Sequence, residues 1–423
     1  MTHSDLRWRR YAWLALGVSC AVYLILSLAH HQAFHPWGRL AFFDLRVYRG
    51  GARLALNGGS LYGGPIWHWA PFTYPPVAAL VFTPLALLPL AVDEFLVTIL
   101  GVAALFAVLA LALRLPMADG DEAAPMQYWR SVVLPVAAAA ALWLEPITAT
   151  LGYGQVNLLI ALLVVGDLSR NDTATSKGAM IGIAAGLKLT PLIFIPYLFF
   201  SRRRRAAIVA LGTFVSTTAI GYAALPSDSQ RFWGGGLFLD SGRVGGAYAP
   251  ANQSVRGLIL RLDPSFGSAR LLGVVMIVGI VGLILAVLAS RRGDEAMGFS
   301  LCAGTGLLVS PVSWSHHWTL AVPALLLLGV RAARRRSTFG ITAVSASVLL
   351  GYSYLPKLMA KAAAFSPGRG LSVVWTLASS PYVLLGLAGL GLACMCETRL
   401  LIARLPSGRR APRQSFADAP AGG

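Results

Sequence analysis

The sequence predicts an all-α polytopic membrane protein, and three observations carry that expectation. Hydrophobic residues make up 56% of the chain and charged residues 12%, with a mean hydropathy of +0.66, far from a soluble domain. Apolar runs of roughly 17 to 25 residues, the length that crosses about 30 Å of hydrocarbon, recur along the whole chain. Arginines gather at the ends of those runs: Arg7, Arg9 and Arg10; Arg202 to Arg205; Arg291 and Arg292; Arg331, Arg334, Arg335 and Arg336; Arg409 and Arg410.

Basic clusters at run ends follow the positive-inside rule, so they are assigned to the cytoplasm. The net charge of +18 is thereby accounted for by topology, and nucleic acid is not an expected partner. With the amino terminus inside, about twelve crossings return every cluster to the cytoplasmic side. They fall near 11–29, 75–91, 94–115, 130–148, 155–168, 178–200, 206–225, 268–290, 295–312, 318–330, 338–355 and 371–396. The first run, Tyr11 to Ala29, is longer than a signal-peptide core and reads as a retained anchor. The runs at 155–168 and 318–330 are short for a span, which suits tilted or re-entrant pieces. Two long loops, 30–74 and 226–267, then face outward, with a shorter one around "SWSHHW". The expected organisation is one transmembrane domain over 1–400 and a disordered cytoplasmic tail over 401–423. All four cysteines lie inside apolar runs and read as small hydrophobes.

The first outer loop carries "FFDLRVYRGG". From Asp44 to Leu56, a helical period puts Arg46, Arg49 and Arg53 on one side and Val47, Tyr48, Gly51, Leu54 and Ala55 on the other. This predicts an amphipathic helix along the membrane surface, its arginines toward lipid phosphates or water. Asp44 projects with the apolar set. It serves as an N-cap, or as a carboxylate whose semi-apolar surroundings raise its pKa and suit a general base, or as both. Further along, Trp67, Trp69 and Tyr74 fit an interfacial aromatic belt and would also floor a sugar site.

Polar groups interrupt later apolar runs. Glu145 precedes Pro146, Gln155 and Asn157 open the next run, and Lys188 sits in the middle of another. Charges at such depth cost at least about 2.5 kcal/mol each, so they mark either an ion pair or a functional site. Either Glu145 and Lys188 neutralise each other across two helices, or Lys188 binds an anionic headgroup. Parity puts the Glu145 turn toward the cytoplasm, unless that hairpin is re-entrant. The second outer loop combines glycines with Arg231, Arg243 and Arg256 and the amides of Asn252 and Gln253, a composition able to close over a phosphate. At the third outer turn, His316 and His317 offer donors to a phosphate or sugar hydroxyl. Their side chains project about 100° apart on a helix, so they are not expected to chelate one metal together.

A single candidate base outside, several cations and a lipid-facing chain suit sugar transfer from a lipid-phosphate donor, because a phosphate departs with help from positive charge and needs no second acid. The motifs "DLRVYRGGA", "FTYPP", "EPITATLGYGQVN", "GIAAGLKLTP", "GRVGG", "NQSVRG" and "SPVSWSHHW" run in order from about residue 40 to 320. Together they resemble the actinobacterial GT-C glycosyltransferases that use polyprenyl-phosphate-mannose, among them the α-(1→2)-mannosyltransferases of phosphatidylinositol mannoside synthesis. The resemblance implies a GT-C fold in the cytoplasmic membrane, an active site on the periplasmic side with Asp44 as catalytic base, and inversion at the anomeric carbon. It further implies a polyprenyl-phosphate-mannose donor and a phosphatidylinositol tetramannoside acceptor taking its fifth mannose at a 2-hydroxyl. His316 and His317 join Asp44 as catalytic candidates. Tyr48, Tyr74, Lys188, Arg243, Asn252, Gln253, Arg256, Glu145, Gln155 and Asn157 are the substrate-binding candidates. The first loop offers one acid where many GT-C enzymes have a DxD or ExD pair, so neither a divalent metal nor another cofactor is expected. Branching of lipomannan, an arabinose donor, and a lipid transporter or flippase are the competing readings; the transporter lacks the paired halves that common transporter folds show.

Overall fold

The computed structural model describes residues 3–29, 42–118, 128–364 and 372–404. The start of the first outer loop and the tail expected to be disordered, residues 30–41 and 405–423, lie outside the described residues. The chain is a helical bundle with a small cap of short helices at one end. Its first helices are α1 (His3–Ala29), α2 (Phe43–Leu56), α3 (Pro76–Val81), α4 (Thr83–Leu87) and α5 (Leu90–Ala112), with a hairpin of β1 (Pro65–Trp67) and β2 (Ala70–Pro71) between α2 and α3. There follow α6 (Leu134–Ala141), α7 (Glu145–Tyr153), α8 (Asn157–Leu168), α9 (Ala179–Leu187), α10 (Phe194–Phe200) and α11 (Arg204–Ala224). The remainder comprises α12 (Val255–Leu262), α13 (Ser268–Arg291), α14 (Glu295–Val309), α15 (Ala321–Arg334), α16 (Thr338–Tyr352), α17 (Leu355–Ala364), α18 (Val373–Ala378) and α19 (Pro381–Arg404).

Among the described residues, five helices are long and apolar enough to cross a membrane: Arg7–Leu26, Leu90–Ala112, Arg204–Ala224, Ser268–Arg291 and Pro381–Leu400. A sixth candidate span is the pair Trp129–Ala141 and Glu145–Tyr153, bent by 64°. The protein is therefore a multi-pass membrane protein. Three of the arginine clusters expected on one side, those of Arg203, Arg291 with Arg292, and Arg331, meet at one end of the bundle. There Arg203 pairs with Glu295 at 2.8 Å, Arg331 with Asp294 at 2.6 Å and Arg292 with Glu397 at 2.6 Å, and Arg291 donates to the carbonyl of Phe200 at 2.7 Å.

Three expectations about the path are corrected. The run at 75–91 is not one crossing: it breaks at Phe82 and stops at Leu88, giving helices of six and five residues packed beside α2. Pro76, Pro84 and Pro89 remove the backbone donors that a continuous helix needs, which hydropathy alone does not register. The run at 178–200 is likewise two helices, because Lys188 ends α9 in an extended conformation. The Glu145 turn lies at the end opposite the arginines, since Glu145 Oε1 accepts from Ser315 Oγ at 2.8 Å, next to His316.

The amphipathic helix forms as expected and begins one residue early, at Phe43. Its N-cap is Phe42, left-handed at φ 53°, with no side-chain cap, so Asp44 is not the capping residue. That conformation costs a non-glycine residue about 1–2 kcal/mol. It is held by the Phe42 N–H donating to the Gly152 carbonyl at 2.7 Å. The arginines do not face lipid together. Arg49 is buried, ion-paired with Asp93, and donates to the carbonyls of Leu85 and Leu88 at 2.7 and 2.9 Å. Arg46 reaches Glu94 at 3.3 Å and lies over the Trp67 ring. The reason is long-range: the first turn of α5 supplies two carboxylates to a helix that would otherwise expose its charges.

Candidate active site

Asp44 sits in the first turn of α2, half-buried, and faces a cavity of about 1030 Å³. Gln155 and Lys188 line the same cavity, as do Tyr74, Tyr153, Arg243, His316 and His317. The elements that bring these groups together are short and closely docked. Gly154, left-handed at φ 66°, ends α7, and a Cβ there would lie 2.7 Å from the Leu45 Cβ. That close approach sets α2, which carries Asp44, directly against the turn that carries Gln155.

Around Asp44 the polar groups form a connected network. The Gln155 amide oxygen accepts from Tyr48 OH at 2.8 Å and Tyr74 OH at 3.0 Å, and the two hydroxyls are 2.7 Å apart. Its amide nitrogen is then free to bond the Asp44 carboxylate and to approach His316 Nε2 at 3.4 Å. Burial raises the Asp44 pKa from 3.8 to about 6, against the opposing pull of the Gln155 hydrogen bond and the Lys188 charge. Both imidazoles are held well below their ordinary range, first by burial and then by the Lys188 cation, joined by Lys357 at His316 and by His316 at His317. They are therefore neutral at pH 7, and His316, receiving the Gln155 N–H on Nε2, carries its own proton on Nδ1.

Lys188 Nζ donates to Asn157 Oδ1 at 2.7 Å, lies 3.2 Å from His317 Nε2 and sits over the Tyr74 ring. Asn157 in turn donates to the His316 carbonyl at 3.0 Å, so Asn157 is a backing residue behind the cavity wall. The expected pairing of Glu145 with Lys188 does not occur. Glu145, wholly buried, accepts from Ser315 and from Tyr382 OH at 2.9 Å and faces Lys357 Nζ at 3.5 Å. Lys357 lies over the rings of Tyr153 and Tyr354 on the cavity wall. Sequence reasoning missed Lys357; its signal was a lysine in an otherwise apolar carboxyl-terminal stretch, the same signal that singled out Lys188.

The second outer loop divides. Arg243 lines the cavity, donates to the Phe72 carbonyl at 2.6 Å and covers the Tyr62 ring. Asn252 and Gln253 are wholly buried framework. Asn252 Oδ1 accepts from Ser313 N at 3.0 Å, and Gln253 Nε2 donates to the carbonyls of Pro250 and Ser379 at 2.6 Å each. Arg256 is bonded to Ser241 Oγ, behind the cavity wall. Asn252 staples the loop to the "SWSHHW" turn, Gln253 ties it to the turn before Tyr382, and Arg256 closes the loop on itself at Ser241, which is how buried polar side chains satisfy a backbone. Tyr48 likewise backs the site through Gln155. Among the described residues no three His, Cys, Asp or Glu side chains are grouped to hold a metal ion.

The helices and this cavity define the class: a multi-pass membrane protein in which charged and hydroxyl groups converge on one deep recess. Within that class the chain belongs to glycosyltransferase family 87, whose model matches residues 72–311. Its curated relatives agree. A polyprenol-phosphate-mannose-dependent α-(1-2)-phosphatidylinositol mannoside mannosyltransferase of Mycobacterium tuberculosis is 32% identical over 352 residues, covering 78% of this chain and 79% of the relative. The Mycolicibacterium smegmatis polyprenol-phosphate-mannose-dependent α-(1-2)-phosphatidylinositol pentamannoside mannosyltransferase is 33% identical over 364 residues, covering 83% of this chain and 84% of the relative.

Proposed function

We propose that this glycosyltransferase moves mannose from polyprenyl-phosphate-mannose to a 2-hydroxyl of a phosphatidylinositol mannoside, with inversion and with Asp44 as general base. The observation that carries the reading is the half-buried Asp44 carboxylate, its pKa raised to about 6, facing one cavity with Lys188 and His317. Such a base is ionised at neutral pH yet basic enough to accept a proton in the transition state.

In the step itself the acceptor oxygen attacks the anomeric carbon, and the bond from that carbon to the phosphate oxygen breaks. The electron pair leaves on polyprenyl phosphate, and the hydroxyl proton passes to Asp44, which later releases it to water. Lys188 supplies positive charge for the departing phosphate, and neutral His317 beside it donates or accepts a hydrogen bond without adding a second cation. In this reading the chain makes a single GT-C domain in the cytoplasmic membrane, and the cavity opens on the periplasmic side, away from the arginine-rich end.

The acceptor has two candidates. The tetramannoside, taking its fifth mannose, matches the relatives named for phosphatidylinositol mannosides; a pentamannoside matches relatives of nearly equal identity. The test is purified protein with labelled polyprenyl-phosphate-mannose and each mannoside, followed by linkage analysis of the product. Label in an α-(1→2) linkage supports the reading. Transfer only from a polyprenyl-phosphate-arabinose donor, or none, sinks it.

A further inference from the structure

We propose that Trp69 forms a second carbohydrate subsite at the cavity mouth, stacking on a mannose of the acceptor glycan that lies beyond the reacting one. The inference rests on the mannosyltransferase reading and adds to it the residue that measures acceptor length.

Trp69 stands at the tip of the β1–β2 hairpin, whose register pairs Trp67 with Ala70, and its side chain is 70% exposed. An indole so little covered by protein is free to take a ligand, and its position decides which. A membrane belt is the competing explanation, but a belt residue faces lipid, whereas Trp69 lines the cavity that holds Asp44. Trp67, its neighbour, is engaged by the Arg46 guanidinium and edge-on by the His68 ring. Trp69 packs against Phe43, the residue before Asp44, with ring centroids 5.2 Å apart at 34°. The platform is thus tied mechanically to the helix that carries the base.

His68 holds the turn in a left-handed conformation, φ 51°, which a non-glycine residue adopts only under constraint and which presents Trp69 forward. Phe238, 40% exposed, and Asp240 line the same cavity, and Arg243 ties their loop to the strand after Trp69 through the Phe72 carbonyl. A pyranose offers an apolar face of C–H groups to an aromatic ring and a rim of hydroxyls to a carboxylate, so this pairing suits a sugar better than a lipid chain. The volume of about 1030 Å³ is at the upper end of the 300–1,000 Å³ of small-ligand sites, which leaves space for more than one sugar unit.

The test compares a soluble octyl α-mannoside with an octyl α-mannotrioside as acceptors for the full-length enzyme, with polyprenyl-phosphate-mannose as donor. Wild type is expected to show a KM roughly tenfold lower for the longer acceptor, and Trp69→Ala to abolish most of that advantage. Trp69→Phe, which keeps an aromatic face, is expected to restore part of it. A wild type that is active but indifferent to length, a Trp69→Ala enzyme that keeps the advantage, or a variant in which both KM values rise alike each overturns the subsite alone. A wild type that transfers neither to these acceptors nor to a phosphatidylinositol mannoside overturns the mannosyltransferase reading, and the subsite with it.

Discussion

The Gln155 amide nitrogen lies 3.4 Å from His316 Nε2, while the oxygen of the same amide is occupied by two tyrosine hydroxyls. The two hydroxyls share two protons among three contacts, and at least one proton goes to the amide oxygen; that fixes the amide's orientation and leaves its N–H groups for Asp44 and His316. Gln155→Leu removes that support and is expected to lower kcat by about 10- to 100-fold, part of the 10²–10⁴ a positioned base supplies. Initial rates with saturating donor and acceptor, alongside a melting curve, check it.

The same residue controls the acid limb of the pH profile. On the proposed mechanism Asp44 acts ionised, so kcat/KM is expected to rise with pH and level off above about 6, where burial puts its pKa. Gln155→Glu removes a hydrogen bond that favours the carboxylate and adds a like charge, and both effects raise the pKa further. The limb is expected to move to higher pH; a profile that stays in place or moves down contradicts the assignment of Asp44 as base.

Asp44→Asn abolishes the base and is expected to cut transfer by about 10²–10⁴. Its effect on stability runs the other way. Because the folded carboxyl holds its proton up to about pH 6, above its ordinary 3.8, the native state is destabilised as pH rises through that window. The variant, which has no charge to bury, should melt higher than wild type at pH 8 and nearly level with it at pH 4. Scanning calorimetry or dye-based melting in detergent at the two pH values tests this.

Arg49→Met leaves the Asp93 carboxylate buried without its cation, a loss of about 3–5 kcal/mol. Arg49→Met combined with Asp93→Leu removes both charges and is expected to recover most of the stability. If the double variant melts no higher than the single one, the pair is not what holds α2 to α5.

Lys188→Met removes the cation beside His317 and is expected to reduce kcat/KM for the donor by about 10²–10³. Lys188→Arg should recover only part of this, since a planar guanidinium does not fit where a compact ammonium contacts Asn157. Full recovery with arginine would show that charge alone, without this geometry, suffices.

Much of this was legible in the sequence because it is local. The helical period from Asp44 to Leu56 gave α2 to within one residue, and runs such as 206–225 and 268–290 correspond to Arg204–Ala224 and Ser268–Arg291. Asp44, Gln155, Lys188 and the two histidines were each conspicuous as polar groups in apolar surroundings, and the fold brings them to one cavity. What was not legible depends on pairing across the chain. Nothing near Arg49 announces that Asp93 will meet it, and nothing in the Glu145 motif announces Lys357, more than two hundred residues away. Asn252 and Gln253 read as ligand-binding amides for the same reason, since the backbone groups they serve, the Ser313 N–H and the Ser379 carbonyl, come from distant turns.

The seam between Gly154 and Leu45 has a consequence for how this chain tolerates change. A single added methyl at position 154 would wedge the two short helices apart, whereas most lipid-facing positions of the long spans accept any greasy replacement. Random mutation should therefore find a fragile spot at a residue that has no side chain, two positions from where the main chains of Phe42 and Gly152 clasp.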